Sequence, residues 1–166
     1  MGEQGSYQVR FDWGLPGAHA VGGDADVLVW VDALHVVEPP LEALPPRGAV
    51  VATGLSGAAE TAAWILALQE ARQARTSVAV VAAGAPRADG LRFAAEDLLV
   101  AGAVMDELET RGIDARSPEA AVADAAYRTL RTGVRSMLAA VVAPGVPEHG
   151  GLRVHRPHED LLDAVG

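Results

Sequence analysis

The sequence predicts a layered α/β/α fold, with a small, mainly parallel sheet of four to five strands, in a single α/β domain over residues 1–166. Three observations point there. The runs VLVWV (27–31), AVVAT (49–53) and SVAVVAA (77–83) are rich in small and β-branched residues and nearly free of polar ones, as strands covered on both faces are. Longer segments with helix-start signals alternate with them, which favours parallel pairing through crossovers. The chain has 166 residues, enough to bury one core.

Taken in order, Tyr7 to Trp13 alternates apolar and polar residues and predicts an edge or half-buried strand. GLPGAHAVGG (14–23) predicts a turn-rich connection. The strand 27–31 ends at Asp32, and residues 35–48 form a proline-rich connection with two Pro-Pro pairs, which rules out a long helix there. Ala49 to Thr53 predicts the next strand. Ser56 is placed to cap a helix over 57–72, apolar nearly all round and therefore largely covered. After the strand 77–83 comes an irregular loop. A helix then runs over 94–110, with Leu98, Ala101, Met105 and Leu108 inward, Gly102 allowing close approach and Arg111-Gly112 as its stop. Ser117-Pro118-Glu119 starts a helix that could reach Val142, with Val122, Ala126, Leu130, Val134, Met137 and Val141 as its apolar stripe and the Asp124–Arg128 pair on its wet face. A short strand at 152–154 and a last turn from His158 complete the chain.

Half of the residues are hydrophobic but only 4% are aromatic, so Ala, Val, Leu and Gly must build the interior. The net charge of −9 argues against nucleic acid and against an anionic membrane surface as partners. All 13 basic residues are Arg, which excludes a P-loop or Schiff-base lysine; an anion site must use Arg, backbone N–H groups or a metal. Cysteine is absent, and with it thiol nucleophiles and Cys-based zinc sites. The first residues lack a signal-peptide core and no apolar run reaches about 18 residues, so a cytoplasmic protein is expected.

In parallel sheets ligands gather beyond the carboxyl ends of the strands. That rule selects Asp32, Thr53-Gly54 and the stretch from Gly84 to Asp97. Glu96 and Asp97 open a helix, where a carboxylate is stabilised by roughly 0.3–1 kcal/mol without any further role. With Asp32 they also suit Mg²⁺, which takes one or two carboxylates and completes its shell with water and substrate oxygens. Arg87 and Arg92 flank the turn residues Asp89-Gly90 and can either grip an anion by paired hydrogen bonds or face solvent. VHRPHED (154–160) gathers His155, His158, Glu159 and Asp160, but without a zinc-ligand spacing; an exposed tail is the competing reading. TGLSGAAE (53–60) is a glycine-containing turn into a helix that matches no phosphate-loop motif.

VAVVAAG…DGLR…AEDLLVAGAV, from Val78 to Val104, resembles the 2-phosphosulfolactate phosphatase (ComB-like) family. VRFDWGLPGA (9–18), ADVLVWVDAL (25–34) and VVATGLSGAAETAAWI (50–65) are similar to family segments in the same order, and RPHEDLLDAV (156–165) more distantly so. The resemblance implies an α/β hydrolase that cleaves a small acidic phosphomonoester with Mg²⁺. It implies Asp32, Glu96 and Asp97 as catalytic and metal-binding acids, Arg92, Arg87, Asp89 and Gly90 as the substrate loop, and Glu159 and Asp160 as further acids. Between Asp32 and Ala49 the chain is shorter than the family and lacks its Asn-Gly-Ser/Thr segment. Losing one charge-stabilising donor typically costs about 10²–10³ in rate. The alternative is therefore a non-catalytic, shortened relative acting as a ligand- or partner-binding dimer. Either way a small anionic substrate or ligand and a homodimer are expected, because a shortened fold rich in small apolar residues exposes surface that a second copy can cover.

Overall fold

The computed structural model describes residues 3–34, 38–141 and 151–158. Strand β1 (Val9–Trp13) is followed by helix α1 (Gly14–Gly22), β2 (Val27–Val31), β3 (Ala49–Thr53), a single 3₁₀ turn (Leu55–Gly57) and α2 (Ala58–Arg72). Then come β4 (Val78–Ala82), a small hairpin of β5 (Ala85–Arg87) and β6 (Gly90–Arg92), α3 (Ala95–Glu109), α4 (Pro118–Leu130), α5 (Val134–Val141) and β7 (Arg153–Arg156). The main sheet has five strands in the order β1-β4-β2-β3-β7; the first four are parallel and β7 is antiparallel to β3. This is the α/β architecture the sequence predicts.

The period-two geometry of the strands splits the core into two layers. Val27, Val29, Val31, Val51, Val78 and Val80 meet α2, α3 and α4 on one face. Leu28, Trp30, Val50, Ala52, Ala79 and Val81 meet Ala18 and Val21 of α1 and Leu44 of the proline-rich connection on the other. Both faces of β2, β3 and β4 are buried, which is why these runs are apolar apart from the terminal Thr53. The connection from β2 to β3 holds no described helix, and Leu44 on it, 4% exposed, shares the second layer with α1.

The third and fourth helices show what small residues achieve. A Cβ on Gly102 would stand 2.3 Å from the Ala123 carbonyl oxygen and 2.6 Å from the Tyr127 Cβ, so α3 and α4 touch backbone to backbone. Ala101, Met105 and Leu108 are fully buried, while Leu98 is half-buried. Ser117 caps α4 by accepting the Ala120 N–H, and Pro118 occupies its first turn.

Several expectations are corrected. Residues 14–22 form α1 rather than a loop, because Gly17 packs directly on Asp12 and Gly22 on Leu28, a fit that overrides their low helix propensity. The loop 85–92 is an antiparallel hairpin. Ser56 sits inside the 3₁₀ turn and makes no cap; Gly57 is the N-cap of α2. One face of α2 is covered, while Ala63 and Ala67 are exposed. The helix begun at Pro118 breaks at 131–133 into α4 and α5. Its stripe is also rotated: Val134 is buried as expected, but Ala120, Ala123 and Asp124 are buried in α4, whereas Val122 is 65% exposed and Leu130, Met137 and Val141 are exposed too. The smaller face wins because Gly102 packs directly on the Ala123 carbonyl and the Tyr127 Cβ. The last strand is Arg153–Arg156, two residues beyond the expected end, and the expected last turn from His158 lies mostly outside the described residues.

Candidate functional site

The carboxyl ends of β1, β4, β2 and β3 form one rim, and α3 starts across it. Asp97, in the first turn of α3, is 2% exposed. Its Oδ1 accepts the Ala33 N–H at 2.8 Å and its Oδ2 accepts the Gly84 N–H at 2.8 Å. Ala33 follows β2 and Gly84 follows β4, so one carboxylate joins the ends of two neighbouring parallel strands to the start of a helix. Gly84 has φ +65°, and a Cβ there would lie 2.8 Å from the Arg92 carbonyl oxygen, so this turn needs glycine.

Burial drives the Asp97 pKa up to about 7, with the Asp32 and Glu96 charges adding to the rise; the Ala33 and Gly84 amides pull against it. Asp32 is half-buried directly before Ala33, and its Oδ1 accepts the Leu34 N–H at 3.1 Å. Glu96 is 8% exposed and accepts from the Arg92 guanidinium at 2.6 Å. Burial would raise the Glu96 pKa, but the Arg92 hydrogen bond, the Glu96 backbone N–H and the Arg92 charge together take it below the ordinary carboxylate value.

The three expected acids thus share the rim, and Asp32 and Glu96 both act electrostatically on Asp97. Their oxygens are not gathered within 4.8 Å; among the described residues the set with that spacing is Asp106, Glu109 and Asp124. That set links α3 to α4 and could hold a metal ion, although Arg116 and Arg128 lie among its oxygens. Arg128 contacts Asp106 at 2.8 Å and Asp124 at 3.0 Å, and also pairs with Glu109. Arg116 contacts Glu109 at 3.1 Å and pairs with Asp124. Asp124, expected on the wet face, is 4% exposed; burial raises its pKa against the opposing pull of Arg116. The sequence signal for this set was present in the i,i+3 pair Asp106–Glu109, but finding it required the Gly102 contact that sets the α3–α4 register.

The expected substrate loop is split. Arg92 lies at the base of the hairpin and is held by Glu96, while Arg87 and Asp89 lie near its exposed tip, 3.5 Å apart. Gly90 has φ +134° in that turn. Phe93, 68% exposed, follows the hairpin and stacks edge-on against Trp13 at the end of β1, ring centroids 5.1 Å apart. Thr53, at the end of β3, turns its hydroxyl onto the Gly54 carbonyl at 3.1 Å. His155 lies 3.2 Å from Glu38, away from this rim on β7, and His158 lines a cavity with Asp26 and Arg156. Glu159 and Asp160 lie outside the described residues. No helix among the described residues is long and apolar enough to cross a membrane.

No protein-family model matches the chain, and no curated protein matches it.

Proposed function

We propose that the chain is a shortened 2-phosphosulfolactate phosphatase-like (ComB-like) protein whose strand-end rim hydrolyses a small acidic phosphomonoester with Mg²⁺. The observation that carries this reading is the clasp at Asp97, which brings Asp32, Glu96 and Arg92 to one rim at the carboxyl ends of parallel strands, where such sheets take their ligands.

The three acids have different tasks in this reading. Asp97 is a positioning residue: both oxygens are occupied by backbone N–H groups, and they fix the turn from which Asp32 projects. Asp32 and Glu96 are the metal-binding pair, and their chemistry suits a hard cation that needs only one or two carboxylates. When bound, Mg²⁺ supplies positive charge to phosphoryl oxygens and a polarised water. Arg92 binds the substrate anion by exchanging the Glu96 carboxylate for an oxygen of like charge. Arg87, Asp89 and Gly90 border the approach to the rim.

A second reading has its own supporting observation: Glu96 and Asp97 are already satisfied within the chain, and the phosphate-gripping segment of the family is absent. The protein is then a non-catalytic ligand- or partner-binding homodimer. Phosphate release from a panel of small phosphorylated acids, with and without Mg²⁺, separates the two. Mg²⁺-dependent release supports the first; absence of release from every ester, together with a dimer by light scattering, supports the second.

A further inference from the structure

We propose that the groove between α2, α3 and the α4–α5 turn is a binding site for a small dianion of the phosphate class, separate from the rim acids. The groove has a volume of about 330 Å³. Sites for small ligands start near this size, about 300 Å³. Leu55, Ala58 and Ala103 contribute apolar lining, and Arg131 and Arg135 lie on the α4–α5 side. None of Asp32, Glu96 and Asp97 lines it.

The arginines carry the argument. Arg111 and Arg128, close by, are held by Glu107 and by Asp106, Glu109 and Asp124. Arg131 and Arg135 make no ion pair or hydrogen bond among the described residues. They are two guanidiniums without an ion pair among the described residues, on one groove of a chain with net charge −9. Glu107, the acid in the lining, is bound to Arg111 at 2.6 Å. Burial and the Asp106 and Glu107 charges raise the Tyr127 pKa against the pull of Arg131 and Arg135, so its hydroxyl stays a protonated donor. The Ser56, Tyr127 and Thr132 hydroxyls on the same groove make no hydrogen bond within the described chain and remain available as donors. Paired planar donors with hydroxyls beside them match the oxygens of a phosphate group, and the small volume favours a compact anion over a peptide.

The test is a titration of inorganic phosphate into the full chain, followed by amide NMR, with chloride at equal ionic strength as the control. Saturable shifts at Ser56, Thr132 and Gly133 are expected. Arg131→Gln with Arg135→Gln, both at exposed positions, should weaken them about tenfold or more, with an unchanged circular-dichroism spectrum. Asp32→Asn should leave them unaltered, which separates this site from the rim. Shifts that chloride reproduces, that survive the double substitution or that vanish in Asp32→Asn overturn the proposal. So does a glutamate-rich peptide that saturates the groove where phosphate does not.

Discussion

The Asp97 carboxylate accepts the Gly84 N–H at 2.8 Å, and through its other oxygen it holds Ala33 at the same distance. Strand ends that would otherwise splay are thereby tied to a helix start, and the Asp32 side chain is fixed beside the knot.

Replacing Asp97 by Asn exchanges one acceptor for a donor, so either Gly84 or Ala33 loses its partner inside the fold. An unsatisfied buried polar group costs about 1–3 kcal/mol. The Gly84 or Ala33 amide of Asp97→Asn should therefore exchange faster with solvent than in the parent at pH 8, where the parent carboxyl is ionised and accepts from both amides.

The same carboxyl gives stability a pH dependence of definite sign. Its pKa is about 7 in the fold and near the ordinary aspartate value of 3.8 when unfolded, so the native state holds the extra proton between these values. Asp97 therefore contributes stability that is complete below its unfolded pKa and is lost as pH rises through about 7. The slope approaches roughly 1.4 kcal/mol per pH unit. Glu96 and Asp26, whose pKa values are lowered, work oppositely and lose their contributions as pH falls through their folded values, below the ordinary carboxylate range. Between about pH 5 and 7 the Asp97 contribution should dominate, with Asp124, whose pKa burial also raises, acting in the same direction. Denaturation midpoints across that interval should fall with rising pH, and Asp97→Asn should flatten the profile.

Gly102→Ala tests the contact that sets the helix layer. In an exposed helix the change would stabilise by about 1 kcal/mol. Here the new methyl meets the Ala123 carbonyl at 2.3 Å, and overpacking of this kind costs about 1–3 kcal/mol. A lowered thermal midpoint is expected; a raised one would mean that α3 and α4 lie further apart.

Arg116→Leu removes one of the two guanidiniums among Asp106, Glu109 and Asp124, and leaves Asp124 at 4% exposure with Arg128 alone. A loss of about 1–3 kcal/mol is expected by urea unfolding. A double-mutant cycle with Asp124→Asn should return a coupling of at least about 0.5 kcal/mol.

The parts of this architecture legible in the sequence are those written in uninterrupted local patterns. The valine runs give strands with both faces covered, Ser117-Pro118 gives a helix start, and the strand-end rule selects Asp32 and Glu96-Asp97 as rim residues. The missed parts depend on contacts between distant segments. Gly14 to Gly22 becomes a helix through its packing on Asp12 and Leu28, and the buried face of α4 is chosen by Gly102 rather than by its own larger apolar residues. Nor does the sequence say how Asp97 is used: a carboxylate at a helix start reads as a ligand until the Ala33 and Gly84 amides are seen to occupy both of its oxygens.

The most direct test of the account is phosphate release in Mg²⁺ by the parent chain and by Asp32→Asn, side by side on the best substrate of the panel. The account predicts turnover in the parent and a fall of about 10²-fold or more in the variant, with an unaltered unfolding midpoint. Equal rates in the two proteins, or none in the parent, would contradict it.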